Sequence, residues 1–352
     1  MNAFYADPRP TPCLSIEGAR KALFIGIGGG GDVASATVLA KSFARCGGEA
    51  IVGSFAWERF SVDPVPGPIR LGELEPLEPV SSHLAWAYPS TVAKRMGRVV
   101  KPQVARAAQV VGRVLVVDVW ASPRDLAREL KEFVDSNGID IVVGVDVGGD
   151  SLATGCEESL WSPLADAVGV AMLSLLSNSI LAIVSPGADG ELDPWYVESR
   201  ISTIARLGGF LGGYVFSSRD AELFREVTSV VHTEASTIPL RALEGFCGEL
   251  AIRGGSRRVR IGIANCVAYF LNPSIASEVT LAKFVKNCSG LEEANEVLHE
   301  LGVYTELDLE RDLFDEASRG REIDCETVLR IRDLGRKRLG PCRASELLSS
   351  CT

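Results

Sequence analysis

The sequence predicts an α/β fold: a mostly parallel, doubly wound, Rossmann-like sheet with a helical C-terminal appendage. Three observations predict it. Short apolar runs such as Ala22–Gly28 and Ile139–Val147 alternate with longer segments poor in helix breakers, as expected for strands covered on both faces by helices. Several runs end on glycines and an acid. From Ala276 onward the chain is mainly helical and charged, with no further Gly-rich strand end. The expected division is an α/β ligand-binding domain over residues 20–275 and an appendage over residues 276–352.

Residues 1–20 are polar and proline-bearing, an irregular lead-in without a targeting signal. A strand is expected over Ala22–Gly28, then a helix over Val33–Cys46 stopped by Gly47-Gly48. Ala50–Phe55 reads as the second strand. Asp63 to Pro79 carries five prolines and predicts a long loop or lid. The basic stretch Lys94–Arg113 reads as a solvated helix and loop. Val114–Val119 predicts a strand, and Ser122-Pro123 starts a helix that ends at Asn137-Gly138. After the strand at Ile139–Val147 come a helix around Glu157–Leu175 and a strand at Ile180–Ser185. The apolar run Val168–Ser185 is long, but Ser174, Ser177, Asn178 and Ser179 interrupt it, so it reads as helix, turn and strand rather than a membrane span. Helices follow around Trp195–Leu207 and Asp220–Val231, then a late strand at Arg258–Ala264. No internal repeat or low-complexity tract is present.

Composition narrows the functional classes. Hydrophobic residues make up 46% of 352, enough for a substantial core. A net charge of −10 argues against non-specific binding to nucleic acid or to a membrane surface. The nine cysteines contain no Cys-x-x-Cys pair, so neither a zinc site nor a secreted disulfide framework is expected. A cytoplasmic protein with mostly buried thiols fits, and a homo-oligomer is the expected assembly. Gln occurs only at 103 and 109. That scarcity hints at heat adaptation, where a bridge between two of Cys325, Cys342 and Cys351 is conceivable.

The chemistry is concentrated in loops that follow strands. The first is Gly28-Gly29-Gly30-Gly31-Asp32. Glycine lets backbone N–H groups approach a ligand closely, and a helix start carries free donors, so a phosphate is the expected occupant. The second is Asp146-Val147-Gly148-Gly149-Asp150-Ser151, and the third runs from Ser185 through Gly187, Asp189, Gly190 and Glu191. In a parallel sheet these loops share one edge, where ligands bind. Asp32, Asp146, Asp150, Asp189 and Glu191 would then be neighbours. Like charges that close must protonate or share a cation, and oxygen ligands suit Mg²⁺ or Mn²⁺. Gly28 to Gly31, Gly148, Gly149 and Gly187 are the candidate phosphate-binding glycines. Each acid alone has a plainer explanation: Asp32 or Asp150 as a helix N-cap, Asp189 in a turn. A fourth segment, His232-Thr233-Glu234-Ala235-Ser236, follows a helix; His232 and Glu234 are the candidate proton-transfer pair. No Gly-x-Ser-x-Gly elbow and no Cys beside a His supports serine or cysteine hydrolase chemistry.

These four segments resemble an uncharacterised, mostly archaeal family known as a domain of unknown function. The resemblance rests on Gly28–Asp32, Asp146–Asp150, Ala188-Asp189-Gly190-Glu191-Leu192 and Thr233–Ser236. It spans about residues 20 to 310 and implies a shared site, but no activity; the tail beyond it resembles nothing.

The expected function is a metal-dependent enzyme binding a phosphorylated small molecule or nucleotide, with phosphoryl transfer or hydrolysis as the reaction. One alternative is an NAD(P)-linked oxidoreductase with Gly26, Gly28 and Gly31 under the pyrophosphate. Asp32 argues against it, because it would repel that group, and Glu58 comes late for a ribose-binding acid. A non-catalytic nucleotide-binding sensor or assembly protein is the other.

Overall fold

The computed structural model describes residues 12–349. Its strands are β1 (Lys21–Gly26), β2 (Glu49–Phe55), β3 (Leu74–Pro79), β4 (Leu84–Arg95), β5 (Arg98–Val100), β6 (Val114–Val117), β7 (Ile141–Val147), β8 (Ser179–Val184), β9 (Phe210–Val215), β10 (Gly248–Ile252), β11 (Arg257–Ile261) and β12 (Val267–Leu271). All but β10 and β11 belong to one sheet ordered β3-β4-β6-β2-β1-β7-β8-β12-β9, with β5 paired to β4. The central five, β6-β2-β1-β7-β8, are parallel. The outer strands pair antiparallel. The fold is therefore α/β with a large mixed sheet built around a parallel centre.

The helices are α1 (Asp32–Arg45), α2 (Gln103–Val111), α3 (Pro123–Asn137), α4 (Pro163–Ser174), α5 (Pro194–Arg206), α6 (Ser218–Thr228), α7 (Thr237–Leu243), α8 (Pro273–Glu278), α9 (Ala282–Val285), α10 (Leu291–Glu300), α11 (Glu306–Ser318), α12 (Cys325–Leu339) and α13 (Ala344–Ser349). Alternate residues of a strand point to opposite faces, and β1 divides its side chains accordingly. Ala22 and Phe24 join one core with α1, α2, α6 and α7. Leu23 and Ile25 join another with α3, α4, α5 and the later helices α8 to α11. Burial on both faces is why the central strands read as unbroken apolar runs. The expected division at residue 275 falls inside α8, whose Ala276 shares that second core with Leu23.

Several elements differ from expectation. The proline-rich stretch 63–79 is not loop throughout: Leu74–Pro79 forms β3, an edge strand, where prolines are tolerated because no ladder donor is needed. The basic stretch is not simply solvated. Arg95 ends β4, is 5% exposed, and binds Asp63 at 2.5 Å and Glu73 at 3.2 Å. The helix expected from Glu157 starts at Pro163, because Glu157 instead accepts from the backbone N–H groups of Thr154 and Gly155. The late strand is β11, which pairs with β10 in a separate hairpin, while β12 enters the main sheet. Cysteine usage also differs. Cys13 is bonded to Cys46 and Cys156 to Cys342, while Cys325 is a free, exposed thiol. Cys351 and residues 1–11 lie outside the described residues. Among the described residues, no helix is long and apolar enough to cross a membrane.

Candidate functional site

The strands β1, β2, β7 and β8 end on one edge of the sheet, and the segments after them wall a cleft of about 680 Å³. After β1 come Gly29, Gly30, Gly31 and Asp32; after β2, Trp57, Glu58, Arg59 and Phe60. Asp150 follows β7, and Asp189 and Glu191 follow β8. The start of α4 adds Asp166, and α11 adds Glu306 and Glu310. The tip of the β10–β11 hairpin supplies Arg253 and Arg257 to the lining, Arg257 pairing with Glu191 at 2.9 Å.

The carboxylates form two groups. Asp32, Asp146 and Asp166 bring an oxygen each within 4.8 Å of one another, and so do Asp150, Asp189 and Glu191. Asp146, at the end of β7, accepts from the N–H of Gly149 and from the N–H and hydroxyl of Ser151. Glu191 accepts from Trp161 N at 2.6 Å, from Ser162 Oγ at 2.6 Å and from Arg257 Nη1 at 2.9 Å. Others are left open. Asp166 Oδ1 and Asp189 Oδ2 are buried and have no hydrogen-bond partner among the described residues. A buried oxygen without a partner costs free energy unless a cation or proton reaches it.

Burial is the largest cause of the raised carboxyl pKa values in the cleft. Asp32, Asp150 and Asp166 lie well above the usual carboxylate range, with neighbouring carboxylates adding to burial. Burial likewise pushes Asp146 upward, and raises Asp189 to about 8 with the help of Glu191. On the walls, burial takes Glu58 and Glu306 to about 7 and Glu310 to about 8. Such a set takes up protons or shares a cation, and its all-oxygen donors fit Mg²⁺ or Mn²⁺.

The glycines make room for the acids. A Cβ on Gly28 would lie 2.5 Å from Asp32 Oδ2 and 3.0 Å from both oxygens of Asp166. Gly148 has φ +122°, and a Cβ there would lie 2.3 Å from Asp189 Cγ. The amides of Gly148, Gly149 and Gly187 are engaged by Val184 O, Asp146 Oδ1 and Gly148 O. None of those three glycines lines the cleft; Gly187 faces a smaller hollow beside Asp193. In the first loop, Gly28 N–H donates to Asp32 and Gly30 N–H to Trp57 O. Gly29 and Gly31 line the cleft, and their amides have no partner among the described residues.

His232 and Glu234 part company. His232 is exposed, lies outside the cleft lining, and has Nε2 3.5 Å from Arg106. Glu234 lines the cleft, accepts from Arg253 N at 3.1 Å and pairs with Arg59 at 3.3 Å. Neither Asp32 nor Asp150 caps a helix through its side chain: the residue capping α1 is Gly31, and Asp32 bonds back to Gly28.

Sequence reasoning missed Asp166, Glu306, Glu310 and the arginines. Asp166 had a signal, as the one charged residue in the apolar helix α4. Glu306 and Glu310 sit four apart, on one face of α11. Glu306 accepts from Leu164 N and Ala165 N at the start of α4. Arg253 and Arg257 flank a hairpin tip, with Nε of each buried and without a hydrogen bond among the described residues, though Arg253 Nε lies 3.8 Å from Glu234.

The chain matches the model of a family described as protein of unknown function, DUF1152, over residues 23–314. It belongs to the DUF1152 family. The matched region contains every carboxylate of the cleft named above and runs through α8 to α10 and most of α11. No curated protein and no solved structure matches the chain.

Proposed function

We propose that this DUF1152 protein is a divalent-metal-dependent enzyme that acts on a phosphorylated small molecule, by phosphoryl transfer or hydrolysis. The observation that carries the reading is the pair of buried, unpartnered oxygens, Asp166 Oδ1 and Asp189 Oδ2, one in each carboxylate group at the sheet edge. Asp32, Asp146 and Asp166, with Asp150 and Asp189, are the residues that would hold Mg²⁺ or Mn²⁺. A bound divalent cation supplies neutralisation of phosphate charge and a more acidic bound water.

The remaining residues divide the work. Arg59, Arg253 and Arg257 face the acids and offer N–H donors to phosphate oxygens. The free amides of Gly29 and Gly31 add two more donors at the start of α1. Glu58 and Glu306, held near 7 by burial, are suited to exchanging a proton near neutrality. Glu234 is tied between Arg59 and Arg253 and serves to position them.

The parallel strands run 3-2-1-4-5 across the sheet, an order that supports a doubly wound, Rossmann-like reading with the ligand beside β1 and β7, where the order reverses. This order also favours the dinucleotide alternative. Asp32 weighs against it, because its carboxylate already occupies the Gly28 amide.

The test is phosphate release from a panel of phosphomonoesters, diphosphates and nucleotides, with Mg²⁺, Mn²⁺ or EDTA. The proposal expects metal-dependent release that Asp166→Asn abolishes. Release unaffected by EDTA and by that substitution contradicts it.

A further inference from the structure

The cleft has a second, chemically different wall. Phe60 after β2, Leu309 and Leu313 on α11, Ile323 just before α12 and Val328 in its first turn all line it. Leu313 is buried, while Phe60, Leu309, Ile323 and Val328 are half-buried, so they keep apolar surface turned to the cleft. This wall adjoins the carboxylates directly, because Glu306 and Glu310 come from the same helix as Leu309 and Leu313.

Three carboxylates bordering this wall already accept hydrogen bonds from the protein itself. Asp324 caps α12, accepting from Thr327 N at 2.8 Å. Glu58 accepts from Gln103 N at 2.7 Å. Glu310 accepts from Trp57 Nε1 at 3.0 Å and Gly67 N at 2.7 Å. A nucleobase needs hydrogen-bond partners along its edge, and leaving them unmade is unfavourable. A hydrocarbon group needs only apolar area removed from water.

Resting on the phosphate reading above, we propose that the substrate is an organic phosphate whose other end is a hydrocarbon group. The phosphate faces the arginines and carboxylates at the sheet edge. The hydrocarbon lies against Phe60, Leu309, Leu313, Ile323 and Val328. One polar end and one apolar wall make the cleft amphiphilic, like the ligand assigned to it. The wall selects for chain length, and the arginine side for phosphate.

The experiment is calorimetric titration of the full chain in Mn²⁺ with inorganic phosphate, methyl, butyl, hexyl and octyl phosphates, AMP, and the alcohols of the same chain lengths. Burying each methylene is expected to strengthen binding about three- to fourfold. The proposal expects that rise from methyl to hexyl phosphate, with AMP weaker than hexyl phosphate. Leu309→Asn and Val328→Asn, each checked by circular dichroism melting to be folded, are expected to flatten the rise. An affinity independent of chain length overturns the hydrocarbon assignment, and inorganic phosphate that still binds then leaves the phosphate reading standing. AMP binding tighter than every alkyl phosphate, unaffected by either variant, also overturns it, in favour of a nucleotide. Alcohols that gain affinity with length while phosphates bind no better than alcohols keep the wall and reject the phosphate. No binding by any probe rejects both.

Discussion

The backbone N–H of Gly28 donates to Asp32 Oδ2 at 2.8 Å. That contact turns a loop that looks built for phosphate into one that holds a carboxylate. A methyl group on Gly28 would collide with the same oxygen and with Asp166. Gly28→Ala is therefore expected to displace both acids and weaken Mn²⁺ binding at least tenfold, measured by calorimetric titration. Unchanged affinity in a folded variant would mean that Asp32 and Asp166 take no part in holding the ion.

Asp32→Asn separates holding the loop from binding a metal. Asn keeps a side-chain oxygen to accept from the Gly28 N–H, so a purely structural role would leave the substitution almost silent. The arrangement predicts a loss of Mn²⁺ affinity instead. It also predicts a melting temperature in EDTA that falls less as pH rises, because the amide never has to ionise against burial and Asp146. Calorimetry and thermal melting of the same sample read both effects.

How much of this was legible in the sequence follows from what each residue's neighbours are. Asp32, Asp150 and Asp189 sit in short loops beside glycines, at the ends of apolar strands, so the local pattern carries the information. Asp166 and Glu306 lie in the first turns of helices, where an acid looks like an ordinary partner of the helix dipole. Only tertiary packing brings them to the cleft. The central strands were readable because both faces are buried; β3, β4 and β9 were not, because they are short, proline-bearing or partly exposed toward the sheet's margins. Cys156 and Cys342 are 186 residues apart, and no local signal links them.

That disulfide ties the chain just before α13 to the loop after Asp150. Removing a native disulfide commonly lowers stability by about 2–5 kcal/mol. Cys342→Ser is expected to fall in that range by urea unfolding. It should also loosen α12, whose Arg332 stacks over Trp161 beside the cleft. Faster hydrogen exchange in α12 than in β7 is the measurement that checks it.

The pH dependence of the metal-free protein has a definite sign. Asp189 and Glu310 titrate near 8 and Glu306 near 7 when folded, above their unfolded values. The folded state then binds more protons than the unfolded state, so stability falls as pH rises from about 4 to 8. Urea midpoints in EDTA are expected to decline from pH 5 to pH 8. Because Mn²⁺ must displace the proton on Asp189, its affinity should rise over the same window. A midpoint that climbs with pH in EDTA would contradict the burial of these carboxylates in their charged form's disfavour.

The most direct measurement of the central claim is the melting temperature of the wild-type protein in EDTA and in millimolar Mg²⁺ or Mn²⁺. A ligand present at a hundredfold excess over its Kd stabilises the folded state by about 2.7 kcal/mol. The carboxylate cleft predicts a higher melting temperature with either ion, a further rise with a phosphate compound, and no ion effect in Asp166→Asn with Asp189→Asn. Identical melting in EDTA and in Mg²⁺ or Mn²⁺, together with a shift caused by NAD(P), would contradict the metal reading and put the dinucleotide in its place.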